Sequence, residues 1–150
     1  MSSAYFYHLT DSPLEATLPM LIGKARGAGW RVLVRGSDPA LLKRLDDVLW
    51  QGPEDGFAPH GIAGGPHDAD QPVLLGDVGV DGFACVMSVG GAEVTEAEVA
   101  ATERTCILFD GHDGAALQQA RGQWKTLTDA GCAAQYWAQE DGRWMKKAEK

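Results

Sequence analysis

The chain has 150 residues, 45% of them hydrophobic and 23% charged, the makeup of a globular protein long enough to bury a core as one domain. Its formal charge of −8 argues against a broad phosphate-binding surface, and no apolar run approaches the roughly 18 residues of a membrane span. The first residues, Met1-Ser2-Ser3-Ala4-Tyr5, carry no basic stretch followed by an apolar one, so the expected compartment is the cytoplasm. Cys85, Cys106 and Cys132 are odd in number and widely spaced, and read as free thiols in a reducing compartment.

Ala4 to Leu9 reads as a buried first strand. Asp11-Ser12-Pro13 then signals a helix start. Leu14, Leu18, Leu21, Ile22 and Ala25 recur at helical spacing to about Ala28, with Gly27 and Gly29 closing the helix and Pro19 expected to kink or delay it. Trp30 to Val34 is a second strand. Ser37-Asp38-Pro39 opens a second helix, with Leu41, Leu42, Leu45, Val48 and Leu49 on one side. Residues 51–71, rich in Gly, Pro, Asp and His, read as a long surface loop. Strands are expected at Pro72–Leu75 and Phe83–Val89, a helix over Glu93–Arg104, and a strand at Thr105–Phe109. Asp113 caps a helix that ends at Gly131. Ala133–Ala138 and Trp144–Lys147 fit a terminal hairpin around Asp141-Gly142. Strands alternating with helices imply an α/β fold: a Rossmann-like, mostly parallel sheet with helices on both faces, in a single domain over residues 1–150.

This fold class often binds nucleotides. Here, however, Thr10-Asp11-Ser12-Pro13 follows the first strand, without the glycines that let phosphate approach a helix N-terminus. Gly23-Lys24-Ala25 lacks the first glycine and the hydroxyl of a phosphate-binding loop. His60, His67, Asp68 and Asp70 cluster in the long loop, but glycines between the histidines leave a metal geometry soft, and turn formation explains them as well. Ser88 lacks the first glycine of a nucleophile elbow, and His112 follows a strand with no evident nucleophile beside it. A degenerate α/β hydrolase or nucleotide enzyme using His112 or the His60–Asp70 loop is therefore the alternative reading. No cofactor or metal is expected.

The aromatic residues carry more. Trp50 follows an amphipathic helix, and Phe57, set in a Gly/Pro/acid loop, either folds back onto the domain or meets a partner. Arg121 to Lys150 holds six basic residues against four acidic, a charge of about +2 where the rest carries about −10. On the helix after Asp113, Ala116, Ala120 and Leu127 form the core face. Arg121 and Lys125 share a flank, and Trp124 lies between flank and core with Thr128 beside it. Two cations bordering an indole suit an anion attached to an apolar group. A core tryptophan with solvated cations is the competing reading.

Six segments add a resemblance that spans nearly the whole chain: Phe6-Tyr7-x-Leu9, Trp30-Arg31-Val32-Leu33-Val34, Arg44-Leu45-Asp46-Asp47-x-Leu49-Trp50, Phe57-x-Pro59-His60-Gly61-x-Ala63-Gly64, Pro72-Val73 and Ala120-Arg121-x-x-Trp124-Lys125. Together they resemble the chi subunit family of bacterial DNA polymerase III holoenzyme. The resemblance implies a Rossmann-like fold without nucleotide and a non-enzymatic, accessory role in the clamp-loader assembly. It implies two partners, with DNA contact mainly indirect: the psi subunit, or a competing helicase, and the acidic C-terminal tail of single-stranded DNA-binding protein, which ends in proline and phenylalanine. Family tail-binding positions carry over to Arg121, Trp124 (an aromatic position, often tyrosine) and Lys125, beside which Thr128 lies. Trp50, Phe57 and His60 fall in the segment facing psi or the helicase. Leu117 stands where some relatives carry a lysine, so a less basic tail site is expected unless Arg143, Lys146 or Lys147 compensates.

Overall fold

The computed structural model describes residues 2–10, 12–50, 60–64 and 71–150. In chain order the elements are β1 (Ser3–Leu9), α1 (Leu14–Gly27), β2 (Val32–Arg35), α2 (Pro39–Trp50), β3 (His60–Ile62), β4 (Val73–Gly76), β5 (Cys85–Ser88), α3 (Glu96–Ala100), β6 (Arg104–Asp110), α4 (Gly114–Asp129), β7 (Ala133–Glu140) and β8 (Arg143–Glu149). They form one eight-stranded sheet in the order β3-β4-β2-β5-β6-β1-β7-β8. Every neighbouring pair is parallel except β7–β8, an antiparallel hairpin.

A parallel sheet needs cover on both faces. On one face, Leu18, Leu21, Ile22 and Ala25 of α1 and Leu41, Leu42 and Leu45 of α2 pack on Val32, Val34, Met87 and Leu108. On the other, Val99 of α3 and Ala120 and Leu127 of α4 pack on Ala4, Phe6, Ile107 and Phe109. The two longest helices close alike. Gly29 and Gly131 take positive φ, and the next residue's amide donates back to a carbonyl five residues earlier, Trp30 to Ala25 and Cys132 to Leu127. Asp141 and Gly142 both have positive φ, the requirement of the tight turn that joins β7 to β8.

Three expectations are corrected. α1 starts at Leu14 and contains Pro19 as its sixth residue, so the proline does not delay the helix, although it removes one helical donor. The expected Glu93–Arg104 helix shrinks to Glu96–Ala100. Thr95 caps it in a reciprocal box with Glu98, the Thr102 hydroxyl takes up the carbonyls of Glu98 and Val99 at its end, and Arg104 is claimed by β6. Within the 51–71 stretch read as loop, His60–Ile62 forms an edge strand on β4, built by pairing rather than by any local pattern.

Arg35, at the end of β2, ties these connections together. Its guanidinium donates to the carbonyls of Val78 and Glu93 and to Glu98 Oε2 at 2.5 Å, with the two side chains only 11% and 22% exposed. The Arg35 hydrogen bond holds the Glu98 carboxyl below the usual carboxylate range. Glu98→Gln should cost about 1–3 kcal/mol in urea unfolding near neutral pH, because Arg35 keeps its desolvation cost and loses its charge partner. The unfolded carboxylate takes up a proton first as the pH falls. The wild-type advantage is therefore full above the ordinary carboxylate range and disappears through Glu98's lower titration. Equal stability of the two proteins at neutral pH would refute this role.

Candidate functional site

α4 begins at a well-made N-cap, with Asp113 Oδ1 accepting from the amides of Ala115 and Ala116. From there the helical repeat drives Ala120 and Leu127 into the core and leaves Arg121 and Lys125 exposed together. Trp124 is half-buried between them. Its indole meets Phe6 edge-on at 5.3 Å and Tyr136 at 5.9 Å. Phe6 and Tyr136 are themselves stacked across the paired strands β1 and β7. Trp124 is thus rooted in the core and offers only its outer part.

The four residues expected at a tail site differ in their freedom. Among the described residues Arg121 is in no ion pair. Lys125 Nζ is 2.9 Å from Asp129 Oδ2, one helical turn on, a hydrogen bond that raises its pKa. The Thr128 hydroxyl donates to the Trp124 carbonyl at 2.7 Å, which leaves it able to accept. Leu117 packs into the apolar cluster around Phe6. Of the cations expected to compensate, Lys146 and Lys147 are paired with Glu149 and Glu140, and Arg143 is exposed in β8.

Sequence reasoning missed His8 and Tyr136. The His8 Nδ1 lies 2.9 Å from the Tyr136 hydroxyl, and its ring packs against Phe109. Burial, then the positive charges of Arg121 and His112, push the His8 pKa down. Burial raises the Tyr136 pKa, with Arg121 opposing. Arg121 therefore acts electrically on the ring cluster under α4. The alternation of β1 already puts His8 on the Phe6 face; its neighbour across 128 residues of chain was not readable.

The second group separates. His60 is 5% exposed and turned inward, its Nε2 3.3 Å from the Asp46 carbonyl, so it braces β3 against α2 instead of facing solvent. Trp50 ends α2, and its side chain lies outside what is described. Phe57 lies outside the described residues, as do Asp11, His67, Asp68 and Asp70. A cleft of ≈ 710 Å³ opens at the C-terminal ends of β1, β5 and β6, the usual ligand position in this fold class. His112 sits exposed on its lining, with its Nε2 2.9 Å from the Thr10 carbonyl. Ser88 is buried there and donates to the Ala92 carbonyl at 2.5 Å. Both groups are engaged in holding loops.

The family model described as DNA polymerase III chi subunit, HolC, matches residues 1–135. The chain belongs to the DNA polymerase III chi subunit family. This is an accessory subunit of the polymerase, and membership implies a place in a replication complex. A comparison with curated proteins finds no significant match. No helix among the described residues is long and apolar enough to cross a membrane. The matched residues take in α4, Phe6 and Trp124, and end three residues into β7, one residue before Tyr136.

Two outcomes follow from the ring cluster. A Cβ at Gly111 would overlap the His8 ring and press on the Leu9 carbonyl, so Gly111→Ala should displace the imidazole and break its contact with Tyr136, read as a changed His8 resonance by NMR. His8 is held below the ordinary imidazole range, so the unfolded chain takes up its proton first as the pH falls. Stability should then decline from about pH 7.5 toward about pH 5, and His8→Gln should flatten part of that slope. An identical slope in the variant would remove His8 from this account.

Proposed function

We propose that the chain acts as one chi-like domain, a non-enzymatic accessory subunit that links the clamp-loader assembly in the cytoplasm to single-stranded DNA-binding protein. The tail of that protein docks on α4. Arg121 takes the terminal carboxylate in a two-pronged hydrogen bond. Trp124 packs against the phenylalanine ring, Lys125 attracts the preceding acidic residues, and Thr128 accepts a backbone amide. The observation that carries this reading is the exposed Arg121 guanidinium, without a carboxylate partner among the described residues, beside a tryptophan anchored in the core. Lys125, already held by Asp129, contributes less. The Trp50–Phe57 segment and His60 contribute the separate surface for psi or a helicase that competes with it. DNA contact is indirect, and no cofactor takes part.

Arg121→Ala should weaken a labelled tail peptide by about 1.5–3 kcal/mol, the value of a charged hydrogen bond. Lys125→Ala should weaken it less, and the binding should decline with added salt. Unchanged affinity in Arg121→Ala would remove the tail from this surface. In pull-downs, Phe57→Ala should lose the psi or helicase partner and keep the tail, and Arg121→Ala should do the reverse. Loss of both partners in either variant would argue against two surfaces.

A further inference from the structure

The face of the sheet opposite α4 holds a second cleft, of ≈ 410 Å³, between α1 and the β7–β8 hairpin. Five rings line it: Tyr5 and Tyr7 of β1, Trp30 ahead of β2, Trp137 of β7 and Trp144 of β8. Trp144 meets Tyr7 edge-on at 5.3 Å, which fixes the hairpin side of the cleft. Buried Cys85, Met87 and Cys106 form its floor. The family match ends at residue 135, so Trp137 and Trp144 come from chain beyond it.

Two cations also line this space. Lys24 is exposed in the last turn of α1. The Arg104 guanidinium lies 4.3 Å from the Tyr5 ring centre and 5.2 Å from that of Trp30, with its Nε buried and without an acceptor. Among the described residues neither cation is in an ion pair, and no aspartate or glutamate lines the cleft. In a chain of net charge −8 this is a local reversal of sign.

These features select a guest. A floor of thiols and a thioether offers little to a polar edge, so whatever enters must be apolar; a nucleobase would leave its hydrogen-bonding groups unmet. The rings supply packing area. Two cations without carboxylates repel a cationic guest and attract an anionic one. We propose that this cleft docks an acidic peptide segment of a partner protein, which inserts one bulky apolar side chain between α1 and the hairpin and sets a neighbouring carboxylate against Lys24 and Arg104. The site is independent of the α4 surface, because alternate residues of β1 point to opposite sides of the sheet.

The test uses the full chain and fluorescein-labelled acidic hexapeptides, C-terminally amidated, with Phe, Leu or Ala at one central position. Amidation removes the terminal carboxylate on which the proposed tail site depends. The Phe and Leu peptides should bind and change tryptophan emission, and the Ala peptide should bind about tenfold more weakly or worse. Lys24→Glu and Trp144→Ala should each reduce affinity about tenfold, and Arg121→Ala should leave it unchanged. Substituting Arg104, packed between two rings, would confound folding with binding, so the exposed Lys24 carries the decision. The proposal is overturned if the Phe and Leu peptides do not bind, if Lys24→Glu binds them as well as wild type, if Arg121→Ala abolishes their binding, or if oligothymidylate displaces them.

Discussion

Strand β1 lies between β6 and β7, hydrogen-bonded to both and unable to shift by one residue without turning every side chain to the wrong face. Ala4, Phe6 and His8 point toward α4, where Phe6 roots Trp124 and His8 contacts Tyr136. Tyr5, Tyr7 and Leu9 point toward α1, where Tyr5 stacks under Arg104 and Tyr7 meets Trp144. One strand therefore sets the floor of the α4 surface and part of the wall of the opposite cleft. Its register is fixed by burial, since Ala4, Phe6 and Leu9 have to stay out of water.

Charge is distributed by a different logic. Arg35 spends its guanidinium on carbonyls and Glu98, and so joins β2 to two connections and a short helix. Lys125, Lys146 and Lys147 each meet a carboxylate at the surface, where such pairs add little stability and reduce the net field. Arg121 and Arg104 differ from these. Arg104 lies against two aromatic rings, Arg121 stands exposed on α4, and among the described residues neither is in an ion pair. A cation with no internal ionic partner is a poor stabiliser and a good receptor for an anion, and Arg121, Arg104 and Lys24 all fit that description.

The end of the family match adds a boundary that bears on function. Residues 1–135 hold the sheet up to the start of β7, all the helices, and the α4 surface. The rest of β7 and β8 lie beyond it, and they are not a loose appendage. Gln139 accepts from the amides of Thr10 and Ser12 and so closes the exit of β1, while Trp144 packs on Tyr7. The hairpin also supplies the outer strand of the sheet, whose Lys and Glu side chains discourage pairing with another chain.

Periodicity and local chemistry by themselves determined most of the architecture. Helical spacing marked α1, α2 and α4. Gly29, Gly131 and the Asp141-Gly142 pair marked where chains turn, because positive φ is a property of a residue and its neighbours. The placing of Arg121, Trp124 and Lys125 on one side of a helix followed from the helical repeat alone. The tertiary structure decided what local rules cannot express. β3 exists only because Val73–Leu75 offers an edge to pair with, and His60, in reach of solvent by composition, is buried by that pairing. Tyr136 under Trp124, Asp129 on Lys125, and the meeting of Tyr7 with Trp144 are contacts of geometry. The Tyr7–Trp144 contact joins residues far apart in the chain, whose proximity depends on strand order, and strand order is fixed only when both faces of the sheet are buried at once.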